Sequence, residues 1–335
     1  MKRNMLALML VLATVTFFGK AALAENVPSQ ITIGYVDLVN SLLIAKQMHL
    51  PEKELGVPVK WVQFDSGAGI NTAMASGSID FGSVGNPPAV VGIASGVPYK
   101  GIFILDVLGS VESLVARKDK DIHGVKDLVG KKVGVPFGTT SHYELMNALK
   151  MAGINPAMVK ILDMSPPAIL AAWQRGDIDA AYVWQPVLGK IAGSNGRVLL
   201  TSEQMAKAGY PTWDVAVVSK SFANKYPDLV RRYVKSLDQA TSYWLSQPGK
   251  SAELIAQELS QPVAEVTQMM DGTTMVNGKA QLGKDYLGSS GKKGQFVQTL
   301  HSTAVFLFEQ KRIPVMPTNN VIQNFIDPSY LEKLF

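Results

Sequence analysis

The stretch Ile70-Asn71-Thr72-Ala73-Met74-Ala75-Ser76-Gly77-Ser78-Ile79-Asp80 returns, 99 residues later, as Ile169-Leu170-Ala171-Ala172-Trp173-Gln174-Arg175-Gly176-Asp177-Ile178-Asp179. In each copy a helix ends on a glycine, the residue that most readily takes the left-handed backbone closing a helix, and an Ile-Asp pair then opens a strand. Met once, Gly-x-Ile-Asp is common helix-to-strand punctuation. Met twice at this spacing, it predicts two α/β lobes of similar plan.

The surrounding text agrees. Ile31 to Val36 and Pro58 to Phe64 read as strands, with helices over Ser41 to Met48 and Gly69 to Ser76. Lys132 to Val135, Val159 to Leu162 and Ala180 to Trp184 repeat the strand pattern, with helices over Ser141 to Met151 and Pro167 to Arg175. From Asp228 onward the chain is strand-poor, with helical text in Leu229 to Leu245, Ser251 to Leu259, Val263 to Met270 and Gln295 to Gln310. Alternating strands and helices define the α/β class, and two such lobes enclose a cleft of the kind that holds small ligands near the carboxyl ends of strands.

Composition narrows the function. Lys2 and Arg3 precede an apolar run from Met5 to Phe18 that ends in Ala22-Leu23-Ala24, the pattern of a secretory signal peptide over residues 1–24 cleaved after Ala24. The chain has no cysteine, so neither a lipid anchor on cysteine nor a disulfide is available, and a chain of about 310 residues must rely on burial. The formal charge of +5 includes Lys2, Arg3 and Lys20, so processing leaves about +2. Arg231-Arg232 and Lys292-Lys293 are short pairs that read as solvated surface, and no nucleic-acid partner is expected. His49, His123, His142 and His301 are scattered, with no zinc spacing, and neither a nucleophile elbow nor a phosphate-binding glycine loop occurs. No cofactor, metal or catalytic residue is expected.

Several strings carry a family likeness: Phe64-Asp65-Ser66-Gly67, Pro136-Phe137, Thr140-Ser141-His142-Tyr143, Pro167-Ala168-Ile169, Ala171 to Asp179, Ala181-Tyr182-Val183-Trp184 and Pro211-Thr212-Trp213-Asp214-Val215. From about residue 30 to the C-terminus the chain resembles the sulfonate, nitrate and taurine solute-binding family of ABC uptake systems, and within it the taurine-binding members. The resemblance implies a monomeric periplasmic protein that delivers a small ligand to a membrane permease. It also implies a two-lobed type II periplasmic binding fold in which the chain crosses between lobes twice. With crossings expected near Val111 to Ala116 and Asp214 to Val218, lobe 1 takes residues 25–112 and 219–335 and lobe 2 takes 113–218.

Taurine is a zwitterion, so its site needs convergent donors for the sulfonate and an acceptor for the ammonium. Thr139-Thr140-Ser141 follows a strand and opens a helix, which offers hydroxyls and unpaired N–H groups at a positive helix end; an ordinary helix cap is the alternative. Asn86, before Pro87-Pro88, is expected to cap a second helix and to add donors from the other lobe. Asp214 begins the apolar run Val215 to Val218, where an unpaired carboxylate is costly; from the residues alone a turn residue after Pro211-Thr212 or a salt bridge to a protein cation is the alternative, and the resemblance makes it the expected ammonium acceptor. Trp184 ends a strand and either covers the ligand's methylenes or packs in the core; His142 and Tyr143 are ligand contacts or scaffold. Asp37-Leu38-Val39-Asn40 departs from a Ser-Ala-Glu-Pro type loop in the family, losing a carboxylate at Asn40 and offering one at Asp37. Asn86-Pro87 stands where two serines are usual. Another aliphatic sulfonate or a sulfate ester therefore remains an alternative ligand, and a pyrimidine-synthase-like enzyme on the same bilobal fold an alternative class.

Overall fold

The computed structural model describes residues 27–335, and the expected leader with its cleavage site lies outside the described residues. β1 (Ile31–Tyr35), β2 (Val59–Gln63), β3 (Phe81–Gly85) and β4 (Tyr99–Leu108) build most of a first sheet. Residues 109–111 carry the chain into a second sheet of β5 (Glu112–Arg117), β6 (Lys132–Val135), β7 (Lys160–Asp163), β8 (Ala180–Trp184) and β9 (Gly196–Thr201). The chain returns through the Ser202–Lys207 helix to β10 (Trp213–Ser219), and β11 (Thr273–Thr274) is added at an edge. The strand orders are β11-β4-β10-β3-β1-β2 and β7-β6-β8-β5-β9.

Apart from β11, the two orders are the same design. β1 runs parallel to β2 and β3 as β6 does to β7 and β8, and β10 lies antiparallel to β3 as β5 does to β8. The repeated Gly-x-Ile-Asp supplies the physical joint. Gly77 and Gly176 both take the left-handed conformation, at φ 70° and 78°. Asp80 accepts the Thr32 N–H at 2.8 Å, and Asp179 accepts the Lys132 N–H at 2.9 Å, so each aspartate pins the corresponding strand of its lobe, β1 or β6. Ile79 and Ile178 are buried, each over a glycine of that strand. A side chain at Gly34 would meet the Ile79 Cδ1 at 2.7 Å, and one at Gly134 would meet the Ile178 Cδ1 at 3.2 Å.

The cores differ in size. In lobe 2 the sheet separates two apolar clusters, one around Leu145 and Leu149, the other around Ile169, Trp173 and Ile178. Lobe 1 adds the C-terminal helices, of which Pro227–Ser246 buries Val230, Tyr233, Val234 and Leu237 against the Ser41–Gln47 and Leu50–Leu55 helices. Each such side chain contributes roughly 1.5–3 kcal/mol when fully buried. Among the described residues no helix is long and apolar enough to cross a membrane.

The second crossing falls elsewhere than expected, and the first lies at the edge of the expected stretch. β5 pairs wholly within the second sheet, and β10, assigned from the sequence to lobe 2, is hydrogen-bonded on both sides within the first sheet. An all-apolar strand buried on both faces reads the same in sequence whether it bridges lobes or fills a sheet centre, and here it fills the centre. The passages themselves are residues 109–111 and the segment leading from β9 to β10. They lie side by side, joined by Leu108 N–H donating to Thr212 O at 3.0 Å. Gly109 presses so closely on Gly272 that a Cβ would sit 2.4 Å from its carbonyl oxygen. The lobes also touch where Arg312 lies over the Phe137 ring at 5.2 Å and Tyr143 meets Phe306 edge-on at 4.9 Å.

Candidate functional site

The carboxyl ends of β3, β8 and β4, the start of β10 and β5, and two helix starts converge on one cleft between the sheets, which spans about 530 Å³ including the part open to solvent. From lobe 1 the Gly67–Ala75 helix points its N-terminus at the cleft; Ser66 precedes it without capping it, and Gly67 is needed because Pro88 Cγ would lie 2.8 Å from a Cβ there. From lobe 2 comes the Thr140–Met151 helix, capped by Thr139. Its first N–H groups have no partner within the helix, so both starts present donors and partial positive charge.

The opposite chemistry is as concentrated. Asp214 and Asp106 are cross-strand neighbours on β10 and β4, both buried, both lining the cleft. Burial pushes Asp214 up to about 6 and raises Asp106 well above the usual carboxyl range, Asp214's own charge adding to the effect on Asp106. Glu112, at the start of β5, is 1 % exposed; burial first, then the charge of Glu144, raises it too. Glu112 accepts from Thr140 Oγ1 at 2.9 and 2.8 Å and from Ser141 Oγ. Behind it Glu144 accepts from Tyr182, Ser202 and Thr212 hydroxyls at 2.5, 2.6 and 2.7 Å, and burial outweighs these donors to bring it up to about 7. Among the described residues lining the cleft there is no Lys, Arg or His. A cavity walled by uncompensated carboxyls and by helix N-termini accepts a molecule carrying a cation at one end and an anion at the other. Its dimensions suit a short one: a Cβ on Gly85 would lie 2.7 Å from Thr140 Cγ2 and 3.2 Å from Asp214 Oδ1, so those two atoms are less than about 6 Å apart.

Of the residues singled out from the sequence, Thr139, Thr140, Trp184 and Asp214 line this cleft together. The others are spent elsewhere. Ser141 is wholly buried on Glu112, and the Thr139 hydroxyl donates to Pro136 O at 2.6 Å, so this helix start offers a ligand its N–H groups rather than its hydroxyls. Asn86 is not the cap: Gly85 is, and Asn86 is the first helical residue. Its amide donates to Thr303 Oγ1 at 2.9 Å and accepts the Trp213 N–H at 3.1 Å, tying helix to β10. Asn40 caps the Ser41–Gln47 helix through the Leu42 N–H at 3.0 Å, and its side chain also reaches Asp106. Asp37 is held outside the cleft lining by Gln63, at 2.5 Å. His142 stacks on Phe137 at 4.5 Å, its pKa lowered by burial and then by Arg312 to about 4, and Tyr143 packs on Phe306; both belong to the scaffold.

Asp106, Glu112, Glu144 and Ser83 were missed. Asp106 carries the signal that exposed Asp214, a lone carboxylate in an apolar strand, Ile102 to Leu108. Glu112 stands just before the apolar run Leu114 to Ala116 in a similar way. Ser83, whose buried Oγ has no partner, gives no signal at all.

Two lobes of one design closing on a polar cleft define a bilobal solute-binding protein of the periplasmic type. The solved alkanesulfonate-binding protein SsuA from Xanthomonas axonopodis pv. citri, bound to MOPS, shares the fold with a TM-score of 0.74 at 22% identity, over 90% of this chain and 99% of that one. The chain belongs to the NMT1-like family, whose pattern it matches over residues 24–260. It is 38% identical to the taurine-binding periplasmic protein of Escherichia coli (strain K12), over 91% of this chain and 93% of that one. It is 27% identical to the putative aliphatic sulfonates-binding protein of the same organism, over 80% and 83%.

Proposed function

We propose that the chain is the periplasmic solute-binding component of an ABC uptake system for taurine. One observation carries the reading: the buried Asp106, Asp214 and Glu112 carboxyls line the cleft without a protein cation among the lining residues, and the start of the Thr140–Met151 helix opens onto the same space, with Thr140 Cγ2 less than about 6 Å from Asp214 Oδ1. Asp214 accepts the ammonium. The N–H groups at Thr140 and Ser141, with those opening the Gly67–Ala75 helix, take the sulfonate, and Trp184 covers the methylenes. The similarity to the Escherichia coli taurine-binding protein supports the same assignment. The ligand bridges the lobes, favours the closed form by its differential affinity, and is passed by the closed protein, a monomer, to a membrane permease without any bond being made or broken. Taurine has about seven non-hydrogen atoms, so its binding is bounded near roughly −10 kcal/mol, a Kd of about tens of nanomolar.

Calorimetric titration of the ligand-free chain with taurine and ethanesulfonate, repeated on Asp214→Asn, tests this. Tight binding of taurine alone, lost in the variant, is expected. Equal binding of ethanesulfonate, or an indifferent variant, leaves only a general sulfonate-binding role.

A further inference from the structure

We propose that in the ligand-free cleft Asp106 and Asp214 hold one proton between them, that a ligand's ammonium displaces it, and that this exchange makes Asp106 a specificity-determining residue for sulfonates bearing a cation. The proposal rests on the ammonium-accepting role of the cleft given above.

The geometry favours a shared proton. Asp106 and Asp214 face each other across β4 and β10, both buried and both lining the cleft. Two carboxylates have only acceptors to offer, so neighbouring carboxyls can bond each other only if one of them carries a proton. Asp106 is 1 % exposed and its Oδ1 has no N–H or hydroxyl donor. Two charges this close in a dry site do not both persist unless a cation joins them.

No side chain lining the cleft around the pair carries a positive charge, and the helix starts add only partial ones. β5 brings Glu112, behind which the Thr140–Met151 helix brings Glu144, hydrogen-bonded to Tyr182 of β8. β3 brings neutral Ser83, the Ser41–Gln47 helix the Asn40 amide, and the end of β8 the Trp184 ring. The cation must therefore come from the ligand. On binding, the pair goes from one proton to none, the proton leaves to solvent, and the ammonium takes its place, so the charge at the carboxyl end of the cleft is unchanged, while the sulfonate's added negative charge is met by the helix starts.

A sulfonate without an amine has no cation to exchange and binds only while the pair keeps its proton. The two ligand classes then respond oppositely to pH. Taurine affinity falls as pH is lowered, by up to about tenfold per unit, whereas ethanesulfonate affinity holds or rises.

The test is calorimetric titration of the ligand-free chain at about pH 6.5, above the ordinary carboxyl range, in phosphate and in imidazole, sulfonate-free buffers whose ionisation enthalpies differ widely. Taurine is expected to give heats that differ between the buffers in proportion to release of up to one proton per ligand. In Asp106→Asn the buffer difference disappears while taurine still binds, and in Glu112→Gln it remains. Equal heats in the two buffers for the unaltered chain would overturn the exchange, as would a buffer difference that survives Asp106→Asn, which would move the proton to Glu112 or Glu144. Absence of any taurine heat in either buffer would instead reject the ligand assignment and the exchange with it.

Discussion

β3 ends in Gly85 where β8, 99 residues later, ends in Trp184; Asn40 caps one helix where Thr139 caps its counterpart; Ala45 is buried where Glu144 is buried. The lobes thus share the residues that make the frame and differ where their strands and helices reach the cleft. Lobe 1 retreats at Gly85, and the space is taken by Thr140 and Asp214. Lobe 2 advances with an aromatic wall and a network of carboxyls. A repeated scaffold fixes where a ligand can lie, while unequal side chains at matching positions decide what it must be.

The comparison can be broken first in the frame. Ile79→Ala and Ile178→Ala remove matching core side chains, and each is expected to cost about 2–5 kcal/mol in urea unfolding; a large disparity between them would show that the shared joint bears unequal loads. Next comes the bare wall. Gly85→Leu fills the space that Thr140 and Asp214 occupy and is expected to weaken taurine binding at least about 100-fold, roughly 2.7 kcal/mol, measured by titration. Unchanged affinity would mean that the ligand does not lie between those residues.

Glu144 sharpens the contrast with Ala45 through pH. Its folded value is about 7 against an ordinary 4.5, so between these the folded chain keeps a proton that the unfolded chain has lost. Stability is therefore full below about pH 4.5 and falls as pH rises through 7, the opposite sign to an ion-paired carboxylate. Thermal unfolding of the ligand-free chain should show this decline, and Glu144→Gln should flatten it, on the order of 2 kcal/mol. The smallest effects concern the caps: Asn40→Ala and Thr139→Ala should each lose about 1 kcal/mol of stability, measured by urea unfolding, and Thr139→Ala, at the cleft, should also weaken ligand binding.

The frame was legible because its signals are local. Gly77 and Gly176, and the Ile-Asp pairs after them, act within a few residues of where they stand. Asp214 was singled out by its cost, as a carboxylate opening a buried strand, together with the family resemblance, and the cost reasoning applied to Ile102 to Leu108 points to Asp106 as well. What stayed hidden depends on partners far along the chain. The fate of Asn86 is decided by Thr303, 217 residues away, and the fate of Ser141 by Glu112. Hydroxyls at a helix start announce donors and acceptors, but which of these a ligand meets is settled only when another strand arrives. The same holds for β10, whose place in the first sheet is fixed by β3 and β4 on either side of it.

The paired passages at residues 109–111 and Thr212 have a mechanical consequence. Two connections lying side by side, bonded to each other and backed against Gly272, act as one pin rather than two separate tethers. A body swinging on one pin has a single path, so every approach of lobe 2 brings Thr140 and Trp184 to the same place over Asp106 and Asp214. The accuracy of the closed cleft is thereby written into the pivot, whose Val111 is itself part of the cleft wall.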